Sequence, residues 1–249
     1  MPTILITGCS SGFGLETARL FLDRDWKVVA TMRSPNADLL PASDNLQILP
    51  LDVTDSASII SAVDAAGSID VLVNNAGFGT VAPIELINPE TARTLFETNT
   101  LGTLAMLQAV LPQFRERRAG IIINVTSSVT LRILPLVGIY RASKAAVNAL
   151  TESLAIEVEP FGVRVHIILP GASPETSFAV NAMPHLRGLD NPDYAPLIES
   201  MMAQFRMSDR PVTQAADVAN AVWQAATDPT APFRIAAGKD AEEWMTQAG

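Results

Sequence analysis

Thr3-Ile4-Leu5-Ile6-Thr7-Gly8-Cys9-Ser10-Ser11-Gly12-Phe13-Gly14 is the stretch on which the fold turns. Its first five residues form a short apolar, β-branched run, the pattern of a parallel strand buried on both faces. The glycines come next, and a helical repeat follows them at once, with Leu15, Ala18, Phe21 and Leu22 recurring on one face. Strand, glycine turn and helix in that order bring backbone N–H groups to a helix N-terminus, where they can approach a pyrophosphate. The spacing is TGxxxGxG, and no Gly-Lys-Ser/Thr follows. That points to a dinucleotide and away from a nucleoside triphosphate loop. Cys9 reads as a small residue in a tight turn.

The same alternation runs down the chain. Lys27–Thr31, Leu46–Leu51, Ile69–Val73, Gly120–Val125, Val163–Leu169 and Phe233–Ala236 read as further strands, with helices between them. Thr54-Asp55 offers an N-cap for a helix through Ala66, with Ile59, Ile60 and Val63 inward and Gly67 at its end. A long helix from Pro89 or Glu90 carries Leu95, Asn99, Leu101, Leu104 and Leu107, which puts one amide on an apolar face. Such an amide needs partners, since leaving it buried and unpaired costs about 1–3 kcal/mol. Another helix contains Tyr140 and runs to about Val158, with Val147, Leu150 and Leu154 inward, and Thr213 to Val218 begins one more. The expectation is a single α/β domain over residues 1–249, doubly wound, with a parallel sheet flanked by helices. Residues 172–211 loosen into Pro- and Met-rich sequence with Phe178, Met183, Leu186, Tyr194, Leu197, Met201, Met202 and Phe205. This segment suits a cover over an apolar ligand, or equally a helical hairpin that serves the core or a subunit contact.

Composition bounds the function. Of 249 residues, 48% are hydrophobic and 17% charged, which implies a large core. The net charge of −9 argues against nucleic acid and anionic membrane as partners. A single cysteine permits no internal disulfide, no Cys/His cluster has zinc spacing, and no metal is expected. The chain enters a strand without a basic-then-apolar leader and has no apolar run of about eighteen residues. It reads as cytoplasmic. His166 and His185 are too isolated to be read as catalytic.

Tyr140-Arg141-Ala142-Ser143-Lys144 carries the candidate chemistry. A tyrosine and a lysine four apart share a helix face, and a nearby ammonium favours the phenolate of a group that ordinarily titrates near about 10. The spacing alone also fits an ordinary amphipathic helix; its partners decide. Thr126-Ser127-Ser128 ends the strand from Gly120, at the edge where ligands gather in open parallel sheets. Asn74-Asn75-Ala76-Gly77 ends another, as a turn able to line a cofactor cleft. Asp52-Val53 offers a carboxylate to an adenine amino group. After Lys27–Thr31, where an NAD-selective site would place an acid, the sequence gives Met32-Arg33-Ser34. Arg33 suits a ribose 2′-phosphate, which implies NADP(H) over NAD(H); a solvated loop arginine, with NAD-dependent alcohol oxidation, is the alternative reading.

Together these motifs resemble the short-chain dehydrogenase/reductase family over nearly the whole chain. Thr7-Gly8-Cys9-Ser10-Ser11-Gly12-Phe13-Gly14 is similar to its TGxxxGxG, Asp52-Val53 to its adenine-contacting pair, and Asn74-Asn75-Ala76-Gly77 to its NNAG. Asn99, Ser127, Tyr140 and Lys144 fall at its catalytic tetrad, and Pro170-Gly171 at its nicotinamide-side turn. The resemblance implies about seven parallel strands, a homodimer or homotetramer, and hydride transfer between the nicotinamide and a ketone or alcohol. It implies cofactor contacts from Gly8, Ser10, Ser11, Gly12, Phe13, Gly14, Arg33, Asp52, Val53, Asn75, Ala76, Gly77, Tyr140, Lys144, Pro170 and Gly171. Tyr140 would protonate the alkoxide, Ser127 polarise the carbonyl, Lys144 lower the phenol and hold the ribose, and Asn99 steady a relaying water. The phrases Gly8–Gly12 and Val29–Arg33 resemble the hydroxysteroid and retinol dehydrogenase branch, which implies an apolar ketone or alcohol substrate. Pro170-Gly171-Ala172-Ser173-Pro174-Glu175-Thr176 has one residue more than the family's PGxxxT, so a carboxamide contact from Thr176 is open.

Overall fold

The computed structural model describes residues 1–174, 176, 182–206 and 211–248. Seven strands form one all-parallel sheet: β1 (Thr3–Ile6), β2 (Lys27–Met32), β3 (Leu46–Pro50), β4 (Val71–Asn74), β5 (Gly120–Val125), β6 (Val163–Pro170) and β7 (Arg234–Ala237). Their order is β3-β2-β1-β4-β5-β6-β7, so the winding reverses between β1 and β4. Connections from those two strands depart to opposite sides there and leave a crevice at the strands' carboxyl ends.

The central strands supply both faces of the core, as their period of two requires. Ile4 and Ile6 of β1 join Val28, Ala30, Val71 and Val73 on one face, under α1 (Gly12–Leu22). Leu5, Val29, Leu72 and Ile122 join the opposite cluster with Ile59, Ala62 and Val63 of α2 (Ser56–Ala66). Asp55 caps α2 by accepting from Ala57 N at 2.9 Å, and Gly67, at φ 68°, ends it. Ile60 does not face inward as expected: it is 58% exposed, and Ala62 takes the buried place. Only positions three and four apart return to the same side of a helix.

The long helix expected from Pro89 is three segments: α3 (Pro89–Phe96), a π-helical turn at Glu97–Leu101, and α4 (Gly102–Arg117). The wide turn holds an extra residue, so the inward face shifts along the sequence. Asn99 is buried, while Leu101, expected inward, is 46% exposed. Pro89 occupies the first helical position, and Asn88 caps it by accepting from Glu90 N.

α5 (Gly138–Val158) follows β5 and packs Leu154 and Val158 on the second face. After β6 come α6 (Ala195–Arg206) and α7 (Ala215–Thr227), and α7 lies beside α1, where Trp26 and Trp223 meet Phe21 edge-on. The chain then forms α8 (Lys239–Ala248), which the hydrophobic pattern gave no sign of. Within 172–211, Met201 is buried with Leu136 and Ile198 in a small third cluster, and Val81, Leu189, Tyr194 and Met202 pack against it. Met183 and Leu197 are exposed; Phe178 lies outside the described residues, as does the side chain of Phe205. Among the described residues no helix is long and apolar enough to cross a membrane, and no cluster of acidic, His or Cys side chains could hold a metal ion.

Candidate active site

A cleft of about 730 Å³ opens over the carboxyl ends of β1, β2, β4 and β5. One wall is the glycine turn. Gly8 and Gly12 have φ of 76° and 58°, a region that side chains disfavour. A Cβ on Gly14 would lie 2.4 Å from Gly8 O and 2.5 Å from Asn75 Nδ2, so only glycine lets the helix start this close. Asn75 braces the turn by donating from Nδ2 to Thr7 O at 2.8 Å, while the Thr7 hydroxyl accepts from the N–H groups of Asn75 and Ala76. Ser11 opens α1 without capping it through its side chain, and the first turn carries no acid. The first N–H groups and the positive end of the helix dipole therefore suit a bound anion.

Arg33, Asp52, Val53 and Thr54 line the outer end of the cleft. Asp52 Oδ1 accepts from Thr54 N at 2.9 Å and from its hydroxyl at 2.7 Å. These bonds hold the carboxyl below its usual range, with a smaller contribution from the Arg33 charge. No carboxylate follows β2 directly: Thr31-Met32-Arg33-Ser34 stands there.

Tyr140 and Lys144 sit one turn apart on α5, both buried, and both line the inner end. Burial pushes the Tyr140 phenol up to about 12, opposed by a hydrogen bond with the Ser127 side chain. Burial also lowers Lys144 from 10.5 to about 8. Its Nζ donates to Val125 O at 3.0 Å. The expected lowering of the phenol by Lys144 thus meets a larger opposing influence, since loss of solvent disfavours the charged form of each group.

Asn99 has the partners its burial demands. Its Nδ2 donates to Phe78 O at 2.9 Å and to Ser143 Oγ at 3.1 Å, and its Oδ1 accepts from Phe78 N at 3.0 Å. The Ser143 hydroxyl donates in turn to Tyr140 O at 2.8 Å, which ties the π turn to α5. A Cβ on Gly77 would lie 2.8 Å from Asn99 Oδ1 and 3.3 Å from Lys144 Nζ, so the two groups flank that glycine.

Most of the sequence candidates thus meet in one cleft: Gly8, Ser10, Ser11, Gly12, Phe13, Arg33, Asp52, Val53, Asn75, Ala76, Gly77, Tyr140 and Lys144 line it. Gly14 lies beneath the turn, and Asn99 and Ser127 stand behind the lining, bonded to Phe78 and Tyr140. Pro170 and Gly171 are outside the lining, at the end of β6 beside Ala237 and Thr213. Thr176 does line the cleft, but it reaches across to the glycine turn, 3.4 Å from where a Gly12 Cβ would be. Sequence reasoning missed Phe78 and His185. Their rings stack at 4.5 Å between centroids, and His185 O accepts from the Thr80 hydroxyl at 2.6 Å. Phe78 directly follows the Asn74–Gly77 turn, the one signal that placed it near the site.

A short chain dehydrogenase family model matches residues 2–185. The chain is 35% identical to a 3-ketodihydrosphingosine reductase of Bacteroides thetaiotaomicron over 240 residues, 94% of this chain and 87% of that protein. It is 43% identical to the 17-beta-hydroxysteroid dehydrogenase type 1 of Mus musculus over 186 residues, 69% of this chain and 54% of that one. Its fold superimposes on the closed form of a serine dehydrogenase complexed with NADP+ at a TM-score of 0.82 and 29% identity, covering 96% and 95% of the two chains. A chain so matched along its length, with the glycine turn, Tyr140 and Lys144 lining one cleft and Ser127 bonded to Tyr140 behind it, belongs to the short-chain dehydrogenase/reductase family and is an oxidoreductase acting on CH–OH groups.

Proposed function

We propose that the protein is an NADP(H)-dependent carbonyl reductase for an apolar ketone. The observation that carries this reading is a buried, Ser127-bonded phenol at one end of a cleft whose other end presents Arg33, with no carboxylate directly after β2. The turn Gly8–Gly14 fits a pyrophosphate, Asp52-Val53 an adenine, and Arg33 a 2′-phosphate, with Asn75–Gly77 along the floor. When bound, the nicotinamide supplies the hydride. A phenol held up at about 12 stays protonated near neutrality and serves as the proton donor that carbonyl reduction needs. Ser127 Oγ, bonded to that phenol, hydrogen-bonds the substrate oxygen on this reading. Lys144 holds the ribose side and adds positive charge near the phenol. Asn99, locked to Phe78 and Ser143, keeps the inner wall rigid for a relaying water.

The segment 172–211 acts as the cover. Its third cluster packs Met201, Ile198 and Leu189 against Val81 and Leu136, the Tyr194 phenol bonds Glu85, and His185 meets Phe78. The cleft's own lining includes Phe13, Phe78 and Val125, and the names of the two relatives support a ketone on an apolar body. Exposed Leu101, at the end of the π turn, and Ile156, on α5, support a homodimer or homotetramer. The test is NADPH oxidation with a panel of sterol-like and long-chain ketones, read by loss of nicotinamide absorbance. Tyr140→Phe should lower kcat by about 10²–10⁴-fold while cofactor still binds. Turnover at the parent rate by folded Tyr140→Phe would end the proposal, and tight NADPH binding without turnover of any ketone would replace it with a dinucleotide sensor.

A further inference from the structure

The 172–211 segment leaves the sheet after Gly171 and returns at Thr213, and its two feet touch. Thr213 N donates to Ala172 O at 2.8 Å, and Gly171 N donates to Thr213 Oγ1 at 2.8 Å. Beneath both feet lies Asp240, at the start of α8 and only 6% exposed. Its Oδ2 accepts from Ala172 N at 2.7 Å and its Oδ1 from the Thr213 hydroxyl at 2.7 Å. The Thr213 hydroxyl also lies 2.8 Å from Ala237 O, but it has one proton, and the carboxylate is the stronger acceptor.

The fit leaves no slack. A Cβ on Gly171 would lie 2.1 Å from Asp240 Oδ2, and one on Gly238 2.2 Å from Thr213 Oγ1. Among the described residues no cation forms an ion pair with Asp240, so its charge rests on these donors and on the N-terminal end of α8. An amide would not serve equally: each carboxylate oxygen accepts from a different foot, whereas asparagine has one acceptor oxygen.

We propose that Asp240 is a positioning residue for the reaction. Its two oxygens fix the path of Gly171-Ala172, the root of the covering segment whose Thr176 and His185 line the cleft, and through that segment set where the nicotinamide half of the cofactor and the ketone come to rest. The adenine half is held separately by Arg33, Asp52 and the glycine turn. This inference rests on the reading of 172–211 as the substrate cover.

The experiment compares two ligands by isothermal titration calorimetry: NADPH, and adenosine 2′,5′-bisphosphate, which reports the adenine half alone. Asp240→Ala should weaken NADPH by about tenfold, the worth of one charge-assisted hydrogen bond, and leave the bisphosphate unchanged. Asp240→Asn, which keeps one acceptor, should recover part of that loss. Hydrogen exchange over 182–206 should quicken in Asp240→Ala, and KM for the ketone should rise. Equal weakening of both ligands would mark a merely structural residue, and no weakening of either would remove the proposal as well. Should Asp240→Ala not fold, Thr213→Val deletes one donor, keeps the carboxylate and carries the same comparison. Failure of the parent protein to reduce any ketone would overturn the cover reading instead, and the two-ligand comparison would still judge Asp240.

Discussion

Lys144→Met should change how stability depends on pH, and Lys144 is the group for which the structure gives the size of the effect. The lysine is buried, and its fall from 10.5 to about 8 means that burial disfavours its ammonium by about 3 kcal/mol. Below pH 8 the lysine is charged in both folded and unfolded chains, so this penalty is constant. Between pH 8 and 10.5 the folded protein releases its proton first, the unfolded chain binds more protons, and stability rises with pH. Methionine keeps most of the apolar stem and titrates nowhere. It also leaves Val125 O, now bonded by Nζ at 3.0 Å, without that donor, which costs about 1–3 kcal/mol at every pH. The difference in unfolding free energy between parent and Lys144→Met should therefore move by about 3 kcal/mol in the parent's favour from pH 7 to pH 11, roughly 6 °C in melting midpoint. Urea unfolding of both proteins across that range measures it, and groups common to both cancel. A difference that stays flat would show that Lys144 titrates alike in folded and unfolded chains, and the desolvated ammonium would have to be abandoned.

Arg33→Asp should lower the preference for NADPH over NADH by about 10²-fold in kcat/KM, through one lost charge-assisted bond and added repulsion; equal losses with both cofactors would contradict the 2′-phosphate role. Asn124→Ala should cost about 2–4 kcal/mol in urea unfolding, because buried Asn124 accepts from Asn74 Nδ2 at 2.9 Å and donates to Thr151 Oγ1 at 2.8 Å. A loss under about 1 kcal/mol would show that this pair of bonds is replaced by water. Gly14→Ala should weaken NADPH binding measurably, since its Cβ meets Gly8 O at 2.4 Å. Gly67→Ala, where nothing lies within 4 Å but φ is 68° and ψ −128°, should cost about 1–3 kcal/mol and leave binding intact. Calorimetry on the pair separates backbone strain from a damaged turn.

The parallel sheet was legible because buried strands are apolar runs with β-branched residues, and Thr3–Ile6, Gly120–Val125 and Val163–Pro170 stand where that pattern puts them. The cleft was legible because the positive φ at Gly8 and Gly12 is a conformation that glycine adopts readily and other residues do not. What escaped did so for physical reasons. Ile60 and Leu101 are apolar residues on outward faces, and composition does not say which way a helix is turned. α8 has few apolar residues, so periodicity was silent; Asp240, Glu242 and Glu243 in its first turns were the available sign. Asp240 itself reads as a solvated acid until Thr213 and Ala172, distant in sequence, are seen to close on it. Lys144 was expected to act on Tyr140, but the balance between charge and burial depends on depth, which residue spacing does not encode.

The wide turn at Glu97–Leu101 sets a limit on how this protein can be improved. Excising one residue there would restore an uninterrupted i-to-i+4 ladder and swing the following residues by about 100° relative to α3. Asn99 would leave Phe78 and Ser143, and either Thr91 and Leu95 of α3 or Met106, Leu107, Val110 and Phe114 of α4 would turn off the core. Shortening that turn would therefore be penalised twice, in the core and in the inner wall of the cleft, and a library selected for heat tolerance alone should keep its length.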